Sequence, residues 1–524
     1  MKKIICLMLT LVMALSVAGC KGEKKAVSNE DGIISFTMMG NPNHPTDKDT
    51  ETEKWIEEKY GVSIDVYSVT ASYYEKLATM LASDEVPDVM FINEPQNWQP
   101  LVDQGFLAQV TKEQIKKYAP RHFAAINEKD ERIWAISSYK GENWVLPKLM
   151  GDEYGTVTVW RKDWLDKLGI TKIPETLEEF EAAYLKVRNE DPDGNGQKDT
   201  YGFTGCGGAT ERQFDQIFGA FGVMPGQWIV ENGKVSNGTV DDRAKEALTL
   251  LHKWYEMEII DPEMITDTQQ TYFPKFNANR VAVINTGYEN MIETTATGAA
   301  NKKNFEEAHP GVKWEDAVAF GSLPQGKDGT RGDWLWGPRA NFVVFGEQLS
   351  DNEEKLGKIL SILDDINYNE ENAIRAVWGE KGVTYDYIDP EVGVASGLKF
   401  LAPYDTDTTA RSSKGLNGFF NILTPAYGWA SADIVRQYTD ASVFETKAKL
   451  TEDTKYVDSL MRPYLASAKR YQADLDKLKT TAYSEFITGA RDLETWDDFV
   501  KEYMAKGGEQ LQKEAQEFYD TNMK

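Results

Sequence analysis

Hydrophobic and polar positions alternate with two periodicities along the first hundred residues of the chain. Residues 33–39, 62–67 and 87–92 carry apolar side chains in short runs or at every second position, the pattern of β-strands. Residues 50–60 and 73–82, which lie between them, have the spacing of helices. Strands that alternate with helices are typical of βαβ units, so we predict an α/β fold with a mainly parallel sheet.

The alternation continues further along the chain. Residues 156–160 predict a strand and residues 161–168 a short helix. Residues 176–179 (TLEE) form a capping box, which predicts the start of a longer helix. Residues 341–345 predict another strand, and the helix over 353–366 that follows is amphipathic. The last hundred residues are mostly helical and carry many charges.

The N-terminus has the pattern of a secretory signal peptide, with two lysines before an apolar run over residues 4–17. Residues 17–20 (VAGC) match a bacterial lipobox, which predicts removal of the signal peptide 1–19 and acylation of Cys20. Two or more acyl chains anchor a protein stably, so we expect a lipid-anchored protein on the extracytoplasmic face of the cell membrane. An ordinary signal peptide with an incidental cysteine is the alternative. Residues 20–32 are polar and predict a flexible tether.

Composition narrows the classes of function. The chain has 524 residues, of which 41% are hydrophobic, enough for two lobes or more. Loss of Lys2 and Lys3 with the leader changes the net charge from −26 to −28, which argues against a nucleic-acid partner. Of the three cysteines only Cys206 remains unmodified in the mature chain, so no internal disulfide can form. Four histidines without pairing argue against a transition-metal site.

Residues 191–199 (DPDGNGQKD) have the spacing of the first nine positions of an EF-hand calcium loop. Oxygen side chains alternate, and a glycine at position 6 permits the tight turn. Position 12 is Gly202 instead of the usual glutamate, so the last ligand would come from elsewhere or from water. We expect a structural calcium ion, and a polar turn without metal is the alternative. The predicted ligands are Asp191, Asp193, Asn195, the Gln197 carbonyl, Asp199 and the adjacent Thr200.

Four stretches in order resemble one protein family. Residues 160–170 (WRKDWLDKLGI) and 173–180 (IPETLEEF) are similar to the extracellular solute-binding proteins of carbohydrate ABC importers. The similarity is greatest to the long lipoprotein subgroup that includes the alginate-binding and LipO-like proteins. Residues 83–89 (SDEVPDV) and 276–283 (FNANRVAV) resemble two further landmarks of this family. A calcium-type loop also recurs in this subgroup, often with an acidic residue where Thr200 stands.

The resemblance implies a type II periplasmic-binding-protein fold, in which two α/β lobes are joined by a hinge and hold the ligand in a cleft between them. By analogy, lobe one would comprise residues 33–155 and about 331–380. Lobe two would comprise residues 156–330 and about 381–524.

Aromatic side chains in loops after strands are the candidate ligand contacts. The chain has 14 Trp and 24 Tyr, and aromatic rings stack on the apolar faces of sugars. Ligands of open α/β folds bind at such loops. Plain core packing is the alternative for each ring, and we expect it for Trp55 and Trp254. The predicted ligand contacts are Asn97, Trp98, Tyr139, Trp144, Tyr288, Trp334, Trp336, Arg339, Tyr427 and Trp429, with Trp336 and Trp429 as the foremost stacking candidates.

These features favour a binding protein over an enzyme. The sequence has no GxSxG elbow, HExxH helix or phosphate-binding loop. We therefore expect a monomeric receptor that captures an oligosaccharide and delivers it to the permease of an ABC importer. A receptor of the same fold for a peptide or another solute is the first alternative, and an extracellular polysaccharide-active enzyme is the second.

Overall fold

The computed structural model describes most of the mature chain. The described residues are 32–39, 47–69, 72–149, 156–205, 214–268, 271–292, 296–334, 339–405, 407–416, 441–456 and 458–524. Cys20, Trp336, Tyr427 and Trp429, which the sequence singles out, lie outside these ranges.

Sixteen strands occur in the described part of the chain. They are β1 Ile34–Met39, β2 Val62–Tyr67, β3 Val89–Ile92, β4 Ser138–Tyr139, β5 Glu142–Asn143, β6 Leu146–Leu149, β7 Thr156–Arg161, β8 Trp228–Glu231, β9 Lys234–Asn237, β10 Val283–Gly287, β11 Val318–Gly321, β12 Arg331–Asp333, β13 Arg339–Phe345, β14 Tyr385–Tyr387, β15 Leu398–Phe400 and β16 Thr454–Tyr456.

The α-helices of the described ranges surround these strands. They are α1 Glu51–Tyr60, α2 Tyr73–Ala82, α3 Pro95–Asp103, α4 Lys112–Tyr118, α5 Pro120–Lys129, α6 Ile133–Ser137, α7 Lys162–Lys167, α8 Leu177–Asn189, α9 Asp215–Ala220, α10 Asp242–Glu256, α11 Tyr272–Asn277, α12 Ala296–Ala308, α13 Trp314–Ala317, α14 Glu353–Tyr368, α15 Glu370–Trp378, α16 Thr408–Lys414, α17 Ala441–Thr451, α18 Ala468–Thr488, α19 Trp496–Tyr503 and α20 Glu509–Asn522. None of them combines the length and apolar character needed to cross a membrane.

A five-stranded sheet of order β2-β1-β3-β13-β6 forms the centre of the first lobe. β1 runs parallel to β2 and β3, as the predicted βαβ pattern requires. β13 is antiparallel to both β3 and β6, so the sheet is mixed and not mainly parallel. β13 belongs to a late segment of the chain. This segment returns to the first sheet after the residues of β7, β10 and β11, which make up the second sheet.

The second lobe contains a smaller sheet of order β10-β7-β11. Both neighbours of β7 are antiparallel to it, which the parallel pattern did not predict. The helix α8 follows the predicted capping box, in which Thr176 accepts from the Glu179 amide and Glu179 accepts from the Thr176 amide. This helix packs Phe180 and Tyr184 against Trp160 of β7.

Two large apolar cores are separate from each other. The first contains residues of β1, β3, β13 and α14, such as Phe36 and Phe342. The second contains residues of β7, α8, α10 and the C-terminal helices, and Trp254 is fully buried in it, as predicted. Each core therefore draws on segments that are far apart in the sequence.

Residues 381–416, which the predicted boundary at about residue 380 assigns to lobe two, contact α1 and α15. The Thr52 hydroxyl of α1 donates to the Lys414 carbonyl over 2.9 Å. Trp378 of α15 stacks on Phe400 of β15 with ring centroids 4.4 Å apart. Leu450 of α17, further along the chain, packs on the second lobe.

Candidate functional site

The candidate site lies where β3 ends and the two lobes meet. Asn93 and Glu94 directly follow β3 at the carboxyl end of a parallel strand, the usual ligand-binding edge of an α/β sheet. Asn93 Oδ1 is buried and has no hydrogen-bond partner among the described residues. This edge of the sheet therefore holds a buried acceptor without a described partner next to a carboxylate.

Glu94 binds two arginines that come from distant parts of the sequence. Its Oε2 accepts from Arg339 Nη2 over 2.8 Å, and its Oε1 accepts from Arg462 Nη1 over 3.0 Å. The Arg339 side chain is only 1% exposed, and this carboxylate compensates part of its charge. Arg339 was predicted as a ligand contact, and the structure places its side chain within the protein, beside Glu94 of the same lobe and the Met461 carbonyl.

The loop of residues 460–462, which we call the plug, crosses between the two cores. Leu460 is buried in the core of the second lobe, whereas the next residue, Met461, is buried in that of the first. Met461 and Arg462 both have left-handed backbones, with φ of 54° and 56°. Arg339 Nη2 lies 3.3 Å from the Met461 carbonyl. No local pattern predicted the plug, since neither left-handed residue is a glycine.

Asp458 shapes the plug from the side of the second lobe. Its two carboxylate oxygens accept from the amides of Leu460 and Arg462, over 3.1 and 3.0 Å. Burial raises the pKa of this carboxyl, and the two amides and the nearby guanidinium groups oppose that rise. The carboxylate thus fixes the tight turn that carries Met461 across.

Asp333 occupies the corresponding position at the edge of the second lobe. Its Oδ2 accepts from the amide and the hydroxyl of Thr156, over 2.8 and 2.6 Å. Trp334 follows, and the Arg462 guanidinium lies 5.9 Å from the centroid of its ring. A chain of contacts therefore runs from Thr156 through Trp334 and Arg462 to Glu94, from one lobe to the other.

Tyr74 joins the candidate site, although the sequence did not single it out. Its hydroxyl accepts from the Asn93 amide over 3.0 Å and also bonds to the side chain of Asn97, a predicted contact. Burial of the hydroxyl raises the pKa of Tyr74. The residue is 36% exposed, so the first lobe offers an accessible aromatic ring beside Asn93.

Three other predicted contacts belong to the structure of the first lobe. Trp98 is fully buried between Tyr139 and Phe342, at centroid distances of 6.3 and 6.0 Å, so the prediction that it faces ligand is not supported. The Tyr139 hydroxyl donates to Asp103 over 2.8 Å, and burial together with this bond raises the pKa of Tyr139 to about 12. Trp144 Nε1 donates to the Tyr139 carbonyl over 3.1 Å.

Tyr288 lies on the second lobe just after β10. It is 8% exposed and packs edge-on against Phe320, with centroids 4.9 Å apart. Gly287 before it pairs with Thr156, which places Tyr288 near the same edge as Asp333. The ring is mostly a core residue that reaches the rim of the cleft.

The predicted calcium loop is well ordered by its own hydrogen bonds. Asp191 accepts from the amides of Gly194, Asn195 and Gly196 over 2.9–3.2 Å. Asn195 Nδ2 donates to Asp193 over 2.9 Å and to Asp199 over 3.2 Å. A polar N–H group thus stands between two carboxylates, which is where a cation would be stabilised.

The structure also explains why the loop lacks a twelfth ligand. A side chain at Gly202 would meet the ring of Tyr184 at 2.5 Å, so no glutamate fits there. The Thr200 hydroxyl donates to the Val187 carbonyl over 2.7 Å, which draws this predicted ligand toward α8. Within the described ranges, no cluster of three or more His, Cys, Asp or Glu residues has the arrangement of a metal site.

A family model for bacterial extracellular solute-binding proteins matches residues 44–337, more than half of the chain. The chain belongs to this family. Lipoprotein LipO of Bacillus subtilis (strain 168) is 24% identical over 97% of both chains. The fructooligosaccharide ABC transporter substrate-binding protein FusA of Streptococcus pneumoniae is 23% identical over 97% of this chain and 96% of its own length.

Solved structures of solute-binding proteins share the fold. An extracellular solute-binding protein from Bifidobacterium longum subsp. infantis has a TM-score of 0.68 at 17% identity, covering 95% of this chain and 100% of its own. An EF-hand mutant of S. pneumoniae FusA in complex with fructo-nystose has a TM-score of 0.60 at 19% identity, covering 93% and 99%. The alginate-binding protein AlgQ2 without calcium ion has a TM-score of 0.60 at 17% identity, covering 93% and 98%. The predicted two-lobed α/β fold of this solute-binding family is confirmed.

Proposed function

We propose that this solute-binding protein captures an oligosaccharide between its two lobes and delivers it to the permease of an ABC importer. Membership of the extracellular solute-binding family carries the proposal. FusA, by its name, binds fructooligosaccharides, and its EF-hand mutant was solved with a sugar. In this chain, the contact path from Thr156 to Glu94 joins the lobes at the edge where such a fold holds its ligand.

The residues at this edge suit a sugar. Tyr74 supplies an accessible ring on the first lobe, and Trp334 supplies an indole on the second. Asn93 Oδ1 can accept a hydrogen bond from a ligand hydroxyl without giving up a partner among the described residues. We retain Asn97, Trp334 and Tyr288 as proposed contacts, together with Trp336, Tyr427 and Trp429 outside the described ranges.

The proposed mechanism is binding without chemistry. A ligand that contacts both lobes binds the closed arrangement better than the open one, and this difference in affinity drives closure. The ion pairs among Glu94, Arg339 and Arg462 would stay intact during closure. The lobes would rotate about this cluster, and the rest of the cleft would close. We propose that the protein acts as a monomer and does not modify its ligand.

A thermal-shift screen of the purified protein against oligosaccharides and peptides tests the proposal. A ligand that binds only the folded state at one hundred times its Kd adds about 2.7 kcal/mol to the free energy of unfolding, so it should raise the Tm measurably. Stabilisation by oligosaccharides alone supports the proposal. Stabilisation by peptides alone would assign the protein to the peptide-receptor class.

We propose that Cys20 carries the membrane anchor. Replacing Cys20 by serine removes the acylated thiol, so the protein should either fall to background levels in the detergent phase of a Triton X-114 partition or remain unprocessed with its signal peptide attached. The variant Cys206→Ser is the matched control and should partition like the unaltered protein. A mature Cys20→Ser protein that stays in the detergent phase would contradict the anchor.

We propose that the loop of residues 191–199 binds a structural calcium ion. Asp193, Asn195 and Asp199 gather polar atoms at one point, and the relative FusA has been solved as an EF-hand mutant. EDTA should lower the Tm by on the order of 2–5 °C without abolishing ligand binding, because calcium would stabilise only the folded loop.

The variant Asp199→Asn should abolish the response to EDTA, since it removes a proposed ligand charge. Glu190→Gln changes an exposed carboxylate just before the loop, and the Tm of this variant should still fall when EDTA is added. Protein purified without chelator that contains no calcium and melts identically with EDTA would overturn the metal assignment.

A further inference from the structure

A cavity lies on the first lobe, apart from the contact path between the lobes. Its volume is about 940 Å³, within the range of small-molecule sites. It opens between the end of α1, the start of α5, the helix α15 and the β14–β15 hairpin. It is lined by Trp55, Lys59, Arg121, Tyr368, Asn369, Glu370, Glu371, Asn372, Ile374, Arg375, Gly379, Glu380, Lys381, Tyr385, Tyr387 and Val394.

Four aromatic residues, Trp55, Tyr368, Tyr385 and Tyr387, line this cavity. Trp55, which helical spacing assigned to the core, is only partly buried and lines it. Tyr387 of β14 lines the opposite wall, and Val394 lies in the same hairpin. Rings of this kind offer flat apolar surfaces to the C–H faces of a ligand.

The polar groups of the lining are balanced in charge. Lys59, Arg375 and Lys381 face three glutamates at positions 370, 371 and 380. The fourth cation, Arg121, is neutralised by Asp364 and Asp365, at 2.8 and 2.9 Å. The cavity therefore offers donors and acceptors in similar number and little net charge, although the chain as a whole carries −26.

The cations lie over the rings. Lys381 Nζ is 4.1 Å from the ring centroid of Tyr387, and the guanidinium of Arg375 is 5.6 Å from that of Trp55. Lys381 is exposed and Arg375 partly so. Each ring thus has a cation over one face, and this cation can donate hydrogen bonds to the hydroxyls of a sugar that stacks on the other face.

We infer that this cavity is a second carbohydrate site, which binds a neutral oligosaccharide on the outside of the first lobe. Every lining residue comes from the first lobe or from the β14–β15 hairpin that packs with it, so binding here does not require the cleft to close. The inference extends the proposed function from one sugar site to two, and the two sites can be tested separately.

Isothermal titration calorimetry of the whole protein tests the second site. The probes are kestose, maltotriose, xylotriose and mannotriose, with trigalacturonate as the acidic comparison. We expect two binding events for at least one neutral probe. Tyr387→Ala should weaken one of them at least about tenfold, as expected for loss of a stacked ring. The same event should persist in 0.5 M NaCl, because it involves little net charge.

Matched variants separate this site from the cleft. Tyr404→Ala alters a tyrosine of the same segment that does not line the cavity, and it should keep both events. Trp334→Ala should weaken only the event in the cleft. If the cleft binds no sugar, the event that depends on Tyr387 should still be present. Trp55→Phe, which retains a ring in the first core, provides a second change of the cavity and should weaken the same event.

Three results would overturn the inference. The first is that no neutral probe shows any binding event apart from one that Trp334→Ala weakens. The second is a second event that Tyr387→Ala and Trp55→Phe leave unchanged. The third is binding of trigalacturonate alone that disappears in 0.5 M NaCl, which would show an ion-exchange surface instead of a sugar site.

Discussion

Replacing Glu94 by alanine should lower the free energy of unfolding by about 2–4 kcal/mol, because two guanidinium groups would lose their shared carboxylate. Arg339 is 1% exposed and cannot turn to water, whereas Arg462 is 24% exposed and can in part. For that reason the expected loss is somewhat below that of a completely buried pair. Chemical denaturation measures it, with the midpoint shifting at similar slope.

Glu353→Ala is the control for this prediction. Glu353 also binds a cation, Lys117 at 2.9 Å, but both side chains are more than half exposed. Its loss should therefore cost about 1 kcal/mol or less. Equal costs for the two variants would show that the Glu94 cluster does not join the lobes as described.

Replacing Met461 by alanine should destabilise the protein by about 2–5 kcal/mol, the range for loss of a large buried side chain. Met461 is 1% exposed and reaches the first core from a loop whose neighbour Leu460 belongs to the second. The cavity left by the variant would loosen the contact between the lobes. Denaturation followed by tryptophan fluorescence measures the change.

Met257→Ala is the comparison, since Met257 is only partly buried and contacts the second core alone. It should cost clearly less than Met461→Ala. If Met461→Ala and Met257→Ala have the same free energy of unfolding, the plug does not stabilise the contact between the lobes.

Local signals in the sequence predicted local structure well. The capping box at Thr176 and Glu179 opens α8, and α1 lies where the spacing over residues 50–60 predicts a helix. These predictions succeed because each depends on residues within one turn of the chain. The alternation of strands and helices similarly predicted the parallel pairing of β1 with β2.

The candidate site could not be found in this way. Glu94 and Arg462 are 368 residues apart, so nothing in the sequence near either one indicates the other. The left-handed backbone of Met461 depends on the carboxylate of Asp458 and on burial in the first core, and residue type does not reveal it. Such features depend on how the lobes meet.

The sequence also could not show which tryptophans are buried in a core and which line a cavity. Trp98 and Trp55 both lie near helical turns, and the sequence assigned the first to ligand and the second to core. In the structure, Trp98 is fully buried and Trp55 lines a cavity. Helical spacing identifies a face of a helix, but the neighbour that covers this face is set by the fold.

Small-angle X-ray scattering with and without ligand tests the central claim most directly. An oligosaccharide found in the thermal-shift screen should reduce the radius of gyration at saturation, since the ligand favours closure of the two lobes. Binding in the outer cavity alone would leave the radius unchanged, and the sugar recovered by mass spectrometry should be intact. An unchanged radius when the binding event that Trp334→Ala weakens is saturated, or a cleaved sugar, would contradict capture by closure of the cleft.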